Sequence, residues 1–271
     1  MAAEQEVAAL VGAFGGTAAV YGRHLGTGAE LRVGDVDRRF ATGSAAKVLV
    51  LLAFAEAVAR GRVDPDHETT IDAGYRDARG GSGVLRFLSA GLRPTLQDCA
   101  TLMMIVSDNV ATDLLLDALG GPGAVNGAVE RLGCDGLSIE SPTVWTMPPE
   151  QFGLATPRGL AGSWAVLADE GPIAARCKAI AWRHQHRDGF ARDVPFSPDL
   201  PDFGLRSPLR LWSKSGSYPG VSCEAGLFET DRGAWVLAVM ADDVADWGNG
   251  ASAAGPTLRA AVSRAVFDAW G

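Results

Sequence analysis

Lysine is scarce in this sequence, present only as Lys47, Lys178 and Lys214, and the formal net charge of the 271 residues is −8. Without clustered cations the chain has no general means of neutralising a phosphate backbone, which argues against nucleic acid as a partner. Long hydrophobic runs are also absent. The most apolar stretch, Val48 to Ala59, is interrupted by Glu56 and falls well short of the roughly 20 residues that span a bilayer, so it reads as a buried helix. The beginning, Met1-Ala2-Ala3-Glu4-Gln5-Glu6, has acids where a secretory leader has basic residues, and no apolar segment follows. A soluble, cytoplasmic protein is expected from the sequence as written, and an exported one only if a leader has been removed. Cys99, Cys134, Cys177 and Cys223 form no C-x-x-C pair, which argues against a metal knuckle or redox couple and leaves four free thiols in a reducing compartment as the expectation. Histidine is rare too. His184-Gln185-His186 lies among Arg183, Arg187 and Asp188 and reads as a solvated segment, not a metal site. His24 and His67 have no legible partner, and no G-x-S-x-G elbow is present.

What the sequence has is apolar mass. At 47% hydrophobic residues it can bury one large core, in a single globular fold with two lobes. Glu4 to Phe14 has the pattern of an amphipathic helix, and Thr17 to Tyr21 and Glu30 to Val33 read as strands. A helix follows from about Ser44 to Arg60, stopped by Gly61. Thr95-Leu96-Gln97-Asp98 is a capping-box variant opening a helix through Ile105, Ala111 to Leu119 is helical, and Thr156-Pro157 opens another helix to about Asp169. Residues 188–208 have the Pro, Asp and Gly content of a surface loop. Leu211 to Ser215, Glu224 to Glu229 and Ala234 to Met240 read as strands, and Thr257 to Trp270 as a closing helix. Residues 1–35 and 201–271 then share a five-stranded sheet in an α+β fold, while 36–200 form an inserted, all-helical lobe. A cleft between lobes is a common place for a small-molecule ligand. Nothing in the pattern fixes an oligomeric state.

Three short motifs carry chemistry. Ser44-Ala45-Ala46-Lys47 puts a hydroxyl and an amine one helical turn apart, so the amine can take the serine proton. A free lysine near pKa 10.4 is a poor base at neutral pH and must be brought down by about 3 pH units, roughly 4 kcal/mol, which burial and a second cation can supply. Ser107-Asp108-Asn109 lies on a turn between two helices. Ser107 can relay a proton to a leaving amine, Asn109 can bind a substrate amide, and Asp108 reads as an anchor. Lys214-Ser215-Gly216 ends an apolar strand. There an inward lysine beside a hydroxyl suits a substrate carboxylate, Gly216 leaves room for an extended substrate, and the Ser217 N–H is a second oxyanion donor.

S-x-x-K, S-D-N and K-[ST]-G, in this order, are together the signature of class A β-lactamases and penicillin-binding proteins, and this sequence resembles a class A β-lactamase over most of residues 36–240. Gly81-Ser82-Gly83-Val84-Leu85, Leu102-Met103-Met104-Ile105-Val106 and Ala111-Thr112-Asp113-Leu114-Leu115 extend the likeness. The resemblance implies antiparallel strands flanked by helices, acylation of Ser44 by an amide or strained lactam, and no metal or cofactor. Two departures stand out. The E-x-x-L-N segment whose glutamate activates the deacylating water is missing. Spacing back from Pro157 points to Glu140 in Glu140-Ser141-Pro142-Thr143-Val144, counting forward from Asn109 points near Thr143, and Glu150 follows. The strand after Lys214 also has Glu224 where the family often has a carboxylate-gripping arginine, leaving Lys214, with Arg206 or Arg210 as substitutes. The expectation is a β-lactamase-type hydrolase with Ser44, Lys47, Ser107, Lys214 and Glu140 catalytic and Asn109, Ser215, Gly216 and Ser217 binding substrate. The alternatives are an esterase, peptidase or acyltransferase on another substrate, or a sensor that is acylated once.

Overall fold

The computed structural model describes residues 2–74, 80–144, 152–248 and 250–271. Helix α1 (Ala2–Gly12) leads into β1 (Thr17–His24) and β2 (Glu30–Val33), and the chain returns to this sheet only with β6 (Arg210–Tyr218), β7 (Val221–Thr230), β8 (Gly233–Asp242) and the closing helix α8 (Ala254–Trp270). The five strands are antiparallel in the order β2-β1-β8-β7-β6, so the two ends of the sequence do share one sheet and β6 lies at its edge.

Both faces of the sheet are covered, which is why its central strands are apolar almost throughout. Val20, Leu211, Phe228 and Leu237 pack with Val7 of α1 and Val262 and Val266 of α8. On the other face Ala19, Tyr21, Trp212, Ala225 and Val236 join the core of the intervening segment. The loop expected over 188–208 is irregular but not superficial, because Phe190 and Val194 enter the first of these clusters.

In the intervening segment a 3-10 turn, Gly43–Ala46, runs directly into α2 (Lys47–Ala59). This helix is apolar on every side and lies within the core, with Val48 through Ala57 all buried. Its one acid, Glu56, is held by Arg60, Arg62 and Arg131. Around α2 stand α3 (Leu96–Ile105), α4 (Asn109–Leu119), α5 (Pro122–Arg131), α6 (Pro157–Ala165) and α7 (Pro172–Ala181). The Thr95–Asp98 capping box is present in both directions. The segment is not purely helical: β3 (Phe40–Ala41), β4 (Leu137–Ile139) and β5 (Gly153–Ala155) form a small antiparallel sheet in the order β3-β5-β4. Strands of two and three residues are too short to show a period of two in the sequence. Among the described residues no helix is long and apolar enough to cross a membrane.

Candidate active site

Ser44 stands on the 3-10 turn that precedes α2, and Lys47 is the first residue of the helix. Side chains three apart on a 3-10 turn lie above one another, so the spacing of the motif places both on one edge. Lys47 is completely buried. Its Nζ donates to the Ser107 carbonyl oxygen at 2.7 Å, to Ser107 Oγ at 3.1 Å and to Asn109 Oδ1 at 2.8 Å. Burial, and then the charge of Lys214, hold its pKa well below the ordinary lysine value, while Asp108 and Asp113 act in the opposite direction. Among the described residues Ser44 Oγ makes no hydrogen bond, so its proton is uncommitted.

Ser107 owes its position to an unusual backbone. At φ 56 it occupies the left-handed region that side-chain-bearing residues avoid, and this conformation turns both its carbonyl and its hydroxyl toward Lys47. Asp108 holds the turn in place as an anchor. Its Oδ2 accepts from the Val84 and Leu85 amides at 2.6 and 2.9 Å, and its Oδ1 caps α4 through Ala111 N at 3.0 Å. Asn109 donates from Nδ2 to Gly80 O at 2.8 Å, tying the 80–85 stretch to the same turn.

Lys214 lies on the face of β6 opposite Ser213 and Ser215, is almost completely buried, and donates to Ser215 O at 2.8 Å. Burial brings its pKa down to about 7; Glu224 opposes that fall and Arg259 adds to it. Ser215 and Gly216 follow it on the strand, and Ser217, at the exposed end, reaches the cavity beside Ser44. Gly216 is required for a reason other than room for substrate. A methyl group there would sit 2.1 Å from Thr42 O and 2.7 Å from Ser44 N, so only glycine lets the edge strand lie directly against the nucleophile turn. Gly43, at φ +48, would place a methyl 3.2 Å from Ser217 N. The Ser44 and Ser217 amides therefore flank one small space. Cys223 Sγ, behind them, contacts Thr42 O at 2.7 Å and Gly216 O at 3.3 Å.

A cavity of about 330 Å³ opens above this arrangement, bounded by Gly43, Ser44, Asn109 and Ser217 on one side and by Val144, Phe152, Tyr218 and Pro219 on the other. Glu140 does not border it. That side chain pairs with Arg39 at 3.3 Å and hydrogen-bonds Ser138 on the outside of the small sheet. Its residue follows β4, whose backbone pairing with β5 turns it away from the cavity. Glu150 lies outside the described residues. Arg206 and Arg210 are at the other end of β6, paired with Asp231 and Glu229 at 2.7 and 2.8 Å, and neither reaches the cavity.

Several residues shape the site in ways that were not read from the sequence. Asp113, buried on α4 one turn after Asn109, accepts from Thr143 Oγ1 at 2.6 Å and Val144 N at 2.8 Å and so fixes the cavity wall. An acid within an apolar helix, four residues after Asn109, was the available signal. Behind β6, Glu224 accepts from Ser213 Oγ at 2.9 Å and Phe190 N at 3.0 Å and faces Arg259 at 3.6 Å, while Arg259 also pairs with Asp188 at 3.3 Å. Burial pushes the Glu224 carboxyl up. His184 is buried, not solvated, and Gln185 N bonds Ile105 O at 2.9 Å, so this segment packs behind the Ser107 turn. Among the described residues no three His, Cys, Asp or Glu side chains are placed to share a metal ion.

The sequence profile described as "Beta-lactamase enzyme family" matches residues 2–270. A β-lactamase from Sphaerobacter thermophilus is 29% identical, with a TM-score of 0.84 over 100% of this chain and 97% of that one. PBP-A is 25% identical, with a TM-score of 0.81 over 98% and 95%. A class A β-lactamase from Mycobacterium abscessus, at 20% identity, shares the fold with a TM-score of 0.82 over 99% of each chain. No curated protein sequence matches.

Proposed function

The chain belongs to the beta-lactamase enzyme family, and from that premise we propose that it hydrolyses β-lactam or related amide bonds through an acyl-enzyme on Ser44. The observation that carries this is the Lys47 nitrogen, wholly buried and bonded to Ser107 and Asn109 within a helical turn of the nucleophile. Burial favours its neutral form, so it can accept the Ser44 proton as Oγ attacks the carbonyl carbon. The Ser44 and Ser217 amides receive the developing oxyanion. As the C–N bond breaks, the leaving nitrogen takes the Ser107 hydroxyl proton, which Lys47 replaces across 3.1 Å. Lys214 supplies positive charge on this side, with Ser215 beside it for a substrate carboxylate. Deacylation adds water to the ester carbon and returns the proton to Ser44.

One observation favours a second reading. Glu140 is engaged with Arg39 and Ser138, and no carboxylate is among the described residues that border the cavity. An acyl-enzyme with no carboxylate to activate water is long-lived, or passes its acyl group to another acceptor, as in an esterase, peptidase, acyltransferase or sensor. PBP-A, similar to this chain, is known as an acyl-enzyme complex with penicillin G in mutant form. Intact-mass spectrometry during incubation with a chromogenic cephalosporin separates the readings. An adduct with rapid product release supports the hydrolase and a lasting adduct the second reading. Ser44→Ala is expected to give no adduct while its circular dichroism is unchanged; labelling that persists overturns Ser44 as nucleophile.

A further inference from the structure

The two sides of the site differ in chemistry. Ser107 and Lys214, assigned above to the leaving nitrogen, do not border the cavity, whereas Asn109 and Ser217 do. The cavity therefore lies on the side of the carbonyl that stays attached to Ser44. At about 330 Å³ it falls within the range of small-molecule sites, about 300–1,000 Å³. Its far wall is made by Val144, Phe152, Tyr218 and Pro219, and none of the described residues around it is charged. Val144 is held there by its own amide on Asp113, and Phe152 is 1% exposed. The chain leaving Ser82 continues the apolar character outward, with Val84, Phe87 and Leu88 all exposed.

We propose that the site selects substrates by their acyl group, accepting an uncharged, apolar one such as an aryl or branched alkyl chain seated against Val144 and Phe152, and rejecting one that carries a carboxylate there. A carboxylate pressed against this wall loses its hydration and gains no counter-charge from the described residues that form it, whereas an apolar group is drawn in by its own desolvation. This rests on the reading of Ser44 as the acylated nucleophile, and the test separates the two.

Penicillin G and carbenicillin have the same nucleus and differ by one carboxylate on the phenylacetyl group. Second-order rates of adduct formation on Ser44, followed by intact mass, are expected to be at least about tenfold higher for penicillin G, about 1.4 kcal/mol in barrier. Val144→Lys, which brings a cation to the wall and keeps the backbone bond to Asp113, is expected to narrow or reverse that ratio. Equal rates in the unmodified protein, or faster carbenicillin, overturn the selection while leaving acylation intact. A ratio unchanged in folded Val144→Lys protein overturns the placement of the acyl group. If that variant does not fold, the ratio in the unmodified protein decides. No adduct with either penicillin overturns the acylation reading and this inference with it.

Discussion

The two buried lysines of the site meet opposite requirements, one as a base and one as a cation. Lys47 is useful when neutral, and burial beside Lys214 favours that state. Lys214 is useful when charged, yet burial brings it to about 7. Acylation is therefore expected to fall as pH rises through about 7, and Lys214→Arg, which stays protonated, should remove this alkaline limb even where its absolute rate is lower. An unchanged pH profile in Lys214→Arg would assign the limb to another group. Stability should respond in the opposite sense. Below about pH 7 Lys214 is charged in both folded and unfolded chains, and the folded state carries the whole desolvation penalty. Between about 7 and 10.5 the unfolded chain holds a proton that the folded chain lacks, so stability rises with pH. That interval is worth on the order of 5 kcal/mol, at about 1.4 kcal/mol per pH unit. Lys214→Met is thus expected to be inactive and to melt several degrees higher at about pH 6, with the gain shrinking toward pH 10. Glu140 gives the contrasting case. Because it is bound to Arg39 outside the cavity, Glu140→Gln should leave the ratio of acylation to product release within about twofold, since exposed ion pairs contribute little; accumulation of acyl-enzyme would return it to the mechanism.

At the scale of elements the site depends on how closely the edge strand approaches the nucleophile turn. Gly216→Ala would force a methyl group into Thr42 O and Ser44 N, so either β6 or the turn must move, and the amides that receive the oxyanion separate. A loss of about 100-fold in acylation rate, with a melting point several degrees lower, is the expected result. Gly12→Ala, on α1 with nothing within 4 Å, serves as control and should change neither. Elements were legible where pattern and boundary chemistry coincide: the five sheet strands, the capping box at Thr95 and the helix opened by Thr156-Pro157. The catalytic motifs were legible for a related reason, since Ser44, Ser107 and Lys214 stand at element ends and carry reactive groups. Helix α5 went unread, although Pro122 opens it, because Gly120 and Gly121, which end α4, stand directly before it and a Gly-Gly-Pro run marks a stop as readily as a start. Val144 and Phe152 were illegible. Apolar side chains announce no chemistry; Val144 is held at the site through Asp113, and Phe152 by its backbone carbonyl, which accepts from Glu140 N.

The whole molecule ties its two lobes through one core, and this bears on how the site is lost. Ala19, Trp212, Ala225 and Val236 from the sheet lie in the same apolar cluster as Leu49, Phe54, Met103 and Leu160 from the helices. The N-terminal and C-terminal strands are neighbours in that sheet, since β1 pairs with β8 along its length. A helix of the intervening segment that leaves the sheet therefore exposes apolar surface of this cluster, and β8 gains both of its strand partners only when the two ends of the chain meet. Lys47 is contributed by one lobe and Lys214 by the other, and the charge of Lys214 lowers the pKa of Lys47. Such coupling leads to the expectation of a single cooperative transition in urea. Far-ultraviolet circular dichroism, which follows the helices, and covalent labelling of Ser44 by a penicillin, which requires both lobes, should be lost together. If labelling disappears at clearly lower urea than the helical signal, the lobes part before they unfold, and the shared core is weaker than its burial implies.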